Sequence, residues 1–110
     1  MKAKILNYYF EPSETVEKQG NRSSIDPYLK RGYYINKGRN GYWVLVKPAR
    51  VLVTIGDSKV SKTFNMKDDI RTYYGKSRIS TKMVERFVED VEKNKIKITL
   101  NLEEDSYSIE

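Results

Sequence analysis

The chain has 110 residues and a formal net charge of +6, with 38% hydrophobic and 33% charged residues and neither cysteine nor histidine. Its length is typical of a single domain, so we expect one domain over residues 1–110. The missing residue types exclude disulfides, zinc sites of the usual Cys/His kind, thiolate nucleophiles and histidine-based acid–base catalysis. We therefore expect a non-enzymatic protein that needs no cofactor.

The sequence shows no segment that would place the chain in a membrane. No apolar run approaches the roughly 18 residues needed to cross a bilayer, and the basic N-terminus is not followed by the apolar stretch of a signal peptide. We therefore expect a cytoplasmic protein without membrane partners. The small size and the Lys-, Tyr- and Asn-rich composition suit a bacterial or phage protein, such as one carried by a mobile element.

The N-terminal part predicts one strand followed by a long loop. Residues 2–9 are rich in β-forming side chains. Residues 11–28 contain Pro12, Gly20 and Pro27 among several Ser and Asn residues, a composition typical of a loop. A structureless loop of this length is uncommon in a small domain and is often functional.

A hairpin is the clearest local prediction. Two β-forming runs, residues 32–37 and 42–46, flank the segment Gly38-Arg39-Asn40-Gly41. Asn-Gly in this position favours a tight turn because both residues tolerate a positive φ. Two further strands follow at residues 50–55 and 60–66, where apolar and polar side chains alternate.

The period of the apolar residues changes near Asn65 and predicts two helices within residues 67–94. Asn65 and Asp68 fit a capping box for the first helix, and Gly75 fits its end. Ser80 fits the N-cap of the second helix. The apolar stripe of that helix is more typical of a core than of a ligand site. It consists of Met83, Val84, Phe87, Val88 and Val91.

The C-terminal residues 95–110 predict a terminal strand or hairpin. Apolar residues alternate with polar ones, as in a half-buried strand: Ile96, Ile98, Leu100 and Leu102. Residues 107–109 fit a last short strand. An edge at residues 95–102 or 107–109 can pair across a homodimer, or it can close the sheet within one chain.

The order of the elements predicts an α+β fold. We expect a mainly antiparallel small β-barrel or curved sheet over residues 2–66, followed by a two-helix insertion and a final strand. A first strand, a long loop and a run of tight hairpins is similar to the layout of small SH3-like barrels. The similarity concerns layout alone, and a fold does not by itself determine a function.

Positive charge is concentrated in the middle of the sequence. Residues 18–50 contain eight Lys or Arg residues against Asp26 alone, a net charge of +7, whereas residues 81–110 have a net charge of −3. A phosphate backbone would be attracted to the first segment and repelled by the second. The predicted partner is therefore nucleic acid, with DNA preferred to RNA.

The hairpin tip is the first candidate contact. A two-stranded ribbon fits a DNA groove, where Arg39 can reach phosphates or base edges and Asn40 can pair with adenine. The alternative is an ordinary solvent-exposed turn, in which these residue types are common. The candidate nucleic-acid-binding residues are Arg22, Lys30, Arg31, Tyr34, Lys37, Arg39, Asn40, Lys47, Arg50, Lys76 and Arg78.

Paired aromatic residues are the second candidate feature. Successive side chains on a strand point to opposite faces, so one ring of each strand pair must lie on the second face. If that face is open, rings beside Lys and Arg are suited to stacking on unpaired bases. If helices cover it, the rings belong to the core. The pairs are Tyr8-Tyr9, Tyr33-Tyr34, Tyr42-Trp43 and Tyr73-Tyr74.

Other motifs fit poorly, and one other function stays open. The segment from Gly56 to Lys62 lacks the second glycine and the Gly-Lys-Ser/Thr ending of a phosphate-binding loop. The carboxylate clusters lack the spacing of a calcium loop, so we expect no metal site. The alternative function is a small protein-binding module or inhibitor that docks on an acidic protein partner by electrostatic steering.

Overall fold

A computed structural model describes the whole chain, Met1–Glu110. It contains eight strands, three α-helices and one 3₁₀ turn. The strands are β1 Lys2–Glu11, β2 Glu14–Gln19, β3 Tyr34–Arg39, β4 Tyr42–Lys47, β5 Arg50–Gly56, β6 Ser61–Asn65, β7 Ile98–Asn101 and β8 Ser106–Ile109. The helical elements are the 3₁₀ turn Arg22–Ile25, α1 Asp26–Lys30, α2 Lys67–Tyr73 and α3 Thr81–Glu92.

The strands divide between two sheets. One has five strands in the order β6-β5-β1-β7-β8, and the other has three in the order β2-β4-β3. The five-stranded sheet is antiparallel and curved, which confirms the predicted α+β class with a mainly antiparallel curved sheet. β4 and β5 are consecutive in sequence yet belong to different sheets. Pro48 lies between them and lacks the N–H that a continuous ladder needs.

The chain folds as two compact units. Unit 1 comprises Met1–Phe10 and Arg50–Glu110, and unit 2 comprises Glu11–Ala49. Along the sequence, unit 2 is thus an insertion within unit 1. Each unit has its own cluster of buried apolar side chains.

The core of unit 1 lies between one face of the five-stranded sheet and the helices α2 and α3. Val51, Val53 and Ile55 of β5 are fully buried, as their alternation predicts. Ile70 of α2 and Phe87 of α3 pack in the same cluster. Val84, Phe87 and Val91 of the apolar stripe predicted for the second helix therefore belong to the core.

The predicted alternation does not continue to Leu102. This side chain is 45% exposed because β7 ends at Asn101. The Asn101 side-chain oxygen accepts hydrogen bonds from the amides of Glu103 and Glu104 at 3.1 and 3.2 Å, which turns the chain towards β8. β7 and β8 form the terminal hairpin.

One of the two predicted helix caps is wrong. α2 begins after Met66, which has no side-chain cap, and not after Asn65. The Asn65 side-chain oxygen accepts hydrogen bonds from the amides of Val51 at 3.1 Å and Lys67 at 3.2 Å. Asn65 therefore ties the end of β6 to β5, a role that local sequence does not reveal. Gly75, with a φ of 65°, follows the end of α2 as predicted.

Ser80 caps α3 as predicted, and its loss has a measurable consequence. The Ser80 hydroxyl accepts a hydrogen bond from the Met83 amide at 3.3 Å. We expect Ser80→Ala to lower the free energy of unfolding by about 1 kcal/mol, because that amide loses its partner. Urea denaturation followed by circular dichroism measures this change. Ser77→Ala, in the loop before the helix, is the control, and an equal loss there would contradict the capping role.

Residues 11–28 are not a loop, contrary to the prediction. Most of them lie in β2, the 3₁₀ turn and the start of α1. β2 contains a single apolar residue, Val16, so it lacks the sequence pattern of a strand; its ladder with β4 extends over its whole length and stabilises it. Pro27 lies in the first turn of α1, where a residue without an N–H is favoured.

The core of unit 2 covers one face of its three-stranded sheet. Ile25, Tyr33 and Leu45 are buried there. The half-buried residues around them are Val16, Tyr28, Leu29, Ile35 and Trp43. Because the 3₁₀ turn and α1 contribute to this cluster, they lie on the sheet face that carries Trp43 and Leu45.

Candidate nucleic-acid interface

The β3–β4 hairpin has the predicted tight turn. Asn40 and Gly41 have φ values of 52° and 77°, both positive as an Asn-Gly turn requires. The turn is also held by the end of β2. The Gly20 amide donates to the Gly41 carbonyl at 2.8 Å, and the Trp43 indole N–H donates to the Gly20 carbonyl at 3.0 Å. The tip is therefore braced by a third strand and is not the free two-stranded ribbon predicted from sequence.

An irregularity in β3 determines which side chains share a face. The pairing with β4 steps from Ile35 directly to Lys37, so Asn36 is an extra residue. Such a bulge shifts the alternation of side chains by one position. Tyr34, before the bulge, therefore lies on the same face as Lys37 and Arg39 after it. Strict alternation would have placed Tyr34 on the opposite face.

The sheet face opposite the unit 2 core consists of three rows of side chains, and we call it the open face. Residues directly opposite each other in antiparallel strands project to the same side. Each row takes one residue from β2, one from β4 and one from β3. The rows, in order towards the hairpin turn, are Thr15, Val46 and Tyr34; Glu17, Val44 and Lys37; and Gln19, Tyr42 and Arg39.

The aromatic pairs of unit 2 divide between the two faces, as alternation predicts. Tyr33 is buried, whereas Tyr34 is 50% exposed. Trp43 is half-buried, whereas Tyr42 is 39% exposed. The two cations that β3 contributes to the open face are exposed as well. The open face thus presents two rings and two positive charges to solvent.

Glu17 is the acidic residue of the open face, and it is engaged with Tyr42. The carboxylate accepts a hydrogen bond from the Tyr42 hydroxyl, and this bond is the main cause of a raised pKa of that phenol. Burial and the negative charge of Glu17 act in the same direction. The Tyr42 ring remains accessible to solvent.

Lys47, a predicted site residue, lies on the core side of the sheet. It is paired in register with Glu14. Its ammonium group forms an ion pair with Glu11 at 3.4 Å. Glu14 itself accepts a hydrogen bond from the Tyr33 hydroxyl at 2.6 Å. The structure therefore does not bring Lys47 together with the cations of the open face.

Arg31, another predicted site residue, belongs to a cluster of rings and cations. Its guanidinium lies 5.2 Å from the centre of the Tyr28 ring and 5.6 Å from that of Tyr33. The Lys18 ammonium lies 5.2 Å from the same Tyr28 ring. Cation–π contacts of this kind contribute about 0.5–1 kcal/mol at exposed sites. We assign this cluster to the stability of unit 2.

The other predicted site residues of unit 2 lie apart from the open face. Arg22 and Lys30 are exposed in the 3₁₀ turn and in α1. Asn40 is needed for the positive φ of the turn. Tyr34, Lys37 and Arg39 are the predicted site residues that lie on the open face.

Three predicted site residues belong to unit 1. Arg50 begins β5 and is half-buried. Lys76 and Arg78 are exposed in the connection between α2 and α3. Arg71 donates a hydrogen bond to the Lys76 carbonyl at 3.4 Å, which fixes the backbone of this connection.

The sequence-predicted site omitted residues that the structure places beside Tyr34. Tyr42 was recognisable as one of an aromatic pair, but its position on the same face as Tyr34 depends on the register of β3 and β4. Val44 and Val46 were part of a predicted strand with no face assigned, and they are half-buried between the polar edges of the open face. The polar residues of β2 fall within residues 11–28, which the sequence predicted to be a loop.

Unit 2 keeps a positive balance of charge. It contains seven Lys or Arg residues and four acidic ones, a net charge of +3. The acidic segment of residues 81–110 belongs to unit 1. Three of the four acidic residues of unit 2, Glu11, Glu14 and Glu17, have the ion pair or hydrogen bonds described above.

The structure and its comparisons add three observations. No group of three or more acidic side chains lies close enough together to hold a metal ion. None of the helices has both the length and the apolar character that spanning a membrane requires. Comparison of the chain with models of protein families, with curated proteins and with solved structures finds no match.

Proposed function

We propose that the protein binds nucleic acid, without catalysing a reaction, through the open face of unit 2. One observation carries the proposal: exposed Tyr34 and Tyr42 lie beside exposed Lys37 and Arg39 on a face that no helix of unit 2 covers. Lys and Arg side chains bind phosphates, and aromatic rings stack on bases. DNA is the first candidate, and the cytoplasm is the expected location.

The charge of unit 2 sets the strength of binding that we expect. A small net positive charge supports non-specific binding, with a Kd on the order of 1–100 μM at physiological salt. Each phosphate contact adds about 0.7–0.9 to the slope of log K against log salt. Lys37 and Arg39 together therefore account for a slope of about 1.4 to 1.8 in magnitude.

Reversing one charge on the open face tests the proposal. We expect Arg39→Glu to weaken binding of fluorescein-labelled oligonucleotides about tenfold at low salt and to reduce the salt slope by about one. Fluorescence anisotropy at several salt concentrations, with single- and double-stranded DNA and RNA, measures both quantities.

Lys59→Glu is the matched control for this experiment. Lys59 is exposed in the β5–β6 turn of unit 1, and its substitution changes the net charge by the same amount. We expect it to preserve most of the affinity and the slope. Equal losses in both variants would mean that overall charge, and not the open face, attracts the ligand. Absence of binding to every oligonucleotide at low salt would overturn the proposal and leave an acidic protein partner as the alternative.

A further inference from the structure

We infer that the open face takes a single-stranded nucleic acid, with unstacked bases on Tyr34 and Tyr42 and the phosphates along β3. The inference rests on the proposed function and deepens it, because it names the strand state of the ligand and its orientation on the sheet.

The accessibility of the rings favours a single strand. In a duplex, neighbouring base pairs cover the faces of the bases, and the grooves present only their edges. A tyrosine ring that projects from a sheet can stack only on a base whose face is free. Tyr34 and Tyr42 have the exposure that such stacking requires.

The spacing of the rings indicates how the strand crosses the sheet. Tyr34 lies in the first row and Tyr42 in the third, four residues apart along the ladder and on neighbouring strands. At about 3.4 Å per residue and about 4.8 Å between strands, their Cα atoms are about 14 Å apart. Stacked bases rise about 3.4 Å per nucleotide, so the two bases held here are not neighbours in a stack. Val44, between the rings, provides an apolar surface for an intervening base.

The two edges of the open face differ in charge, and this difference orients the strand. β3 contributes Lys37 and Arg39, whereas β2 contributes Glu17 between two uncharged polar side chains. Phosphates are attracted to the β3 edge and repelled by the Glu17 carboxylate. The sugar–phosphate backbone therefore follows β3, and the base edges point across β4 towards the hydrogen-bonding groups of β2.

Strand preference and loss of the rings test the inference together. We expect a labelled single-stranded 12-mer to bind at least tenfold more tightly than the duplex of the same sequence at the same salt. Tyr34→Ala and Tyr42→Ala should each weaken single-strand binding about 5- to 150-fold, the range expected for one lost base–ring stack. Tyr34→Phe and Tyr42→Phe keep the rings and should bind close to the unchanged protein. A length series from 2 to 12 nucleotides should show the main gain once the strand reaches both rings.

Tyr9→Ala is the matched control, since Tyr9 is a 57% exposed tyrosine in the unit 1 part of β1. Its affinity should not change. One outcome overturns the inference and leaves the proposed function standing. In that outcome Arg39→Glu weakens binding, while the unchanged protein and the two tyrosine-to-alanine variants all bind single and double strands with equal affinity. If no oligonucleotide binds, both are overturned.

Discussion

Gly38→Ala is expected to destabilise unit 2 by about 2–4 kcal/mol and thereby to weaken the proposed binding of oligonucleotides. A Cβ atom at this position would lie 2.7 Å from Cε3 and Cζ3 of Trp43, far inside van der Waals contact. The indole must move, which also breaks its hydrogen bond to the Gly20 carbonyl. Overpacking costs about 1–3 kcal/mol and the lost hydrogen bond about 1 kcal/mol more. A unit of 39 residues with three buried core residues has little stability to lose.

The single tryptophan of the chain makes this prediction easy to measure. Trp43 lies in unit 2, so its fluorescence reports on that unit alone. Its emission shifts to longer wavelength when the unit unfolds, and we expect this transition at a lower urea concentration in Gly38→Ala than in the unchanged protein. A double-mutant cycle with Trp43→Leu, followed by circular dichroism, identifies the cause. If the clash with the indole is responsible, adding Gly38→Ala to Trp43→Leu should cost much less than it does in the unchanged protein. An equal cost in both backgrounds would contradict this account.

Phe87→Ala is expected to lower the stability of unit 1 by about 3–5 kcal/mol. Phe87 is fully buried between α3 and the five-stranded sheet, and removing its ring leaves a cavity as well as lost apolar burial. Because a domain is stable by only about 5–15 kcal/mol, this substitution brings unit 1 close to unfolding.

Urea denaturation followed by far-ultraviolet circular dichroism measures the effect of Phe87→Ala. Leu102→Ala is the control, since that side chain is exposed beyond the end of β7 and its truncation should change stability by less than about 0.5 kcal/mol. A loss below about 1 kcal/mol for Phe87→Ala would contradict the position of this ring in the core.

Unit 1 was largely predictable because its sequence patterns are strong. Val51, Val53 and Ile55 alternate over a whole strand, and the apolar stripe around Phe87 has a clear helical period. Both patterns reflect burial against a single core, and the structure places them there. Leu102 continues the apolar alternation of the sequence but lies outside β7, because the Asn101 side chain ends the strand one residue earlier.

The open face was predictable only in part, because its composition depends on long-range packing. β2 is held by its ladder with β4 and carries a single apolar residue, so no periodicity marks it as a strand. The bulge at Asn36 depends on the pairing of β3 with β4. Gly38 of β3 leaves room for the Trp43 side chain of β4. The charge pattern identified Lys37 and Arg39 as candidates, but no local rule placed them beside Tyr42.

The position of unit 2 in the chain has a consequence for modularity. β1 and β5 are neighbours in the five-stranded sheet. In the sequence, unit 2 connects these two strands. Unit 2 therefore takes the place of the loop that joins two neighbouring strands. The entropic cost of closing such a loop grows only slowly with its length. We therefore expect the five-stranded sheet to tolerate replacement of the whole insert by another segment without rearrangement of its strands.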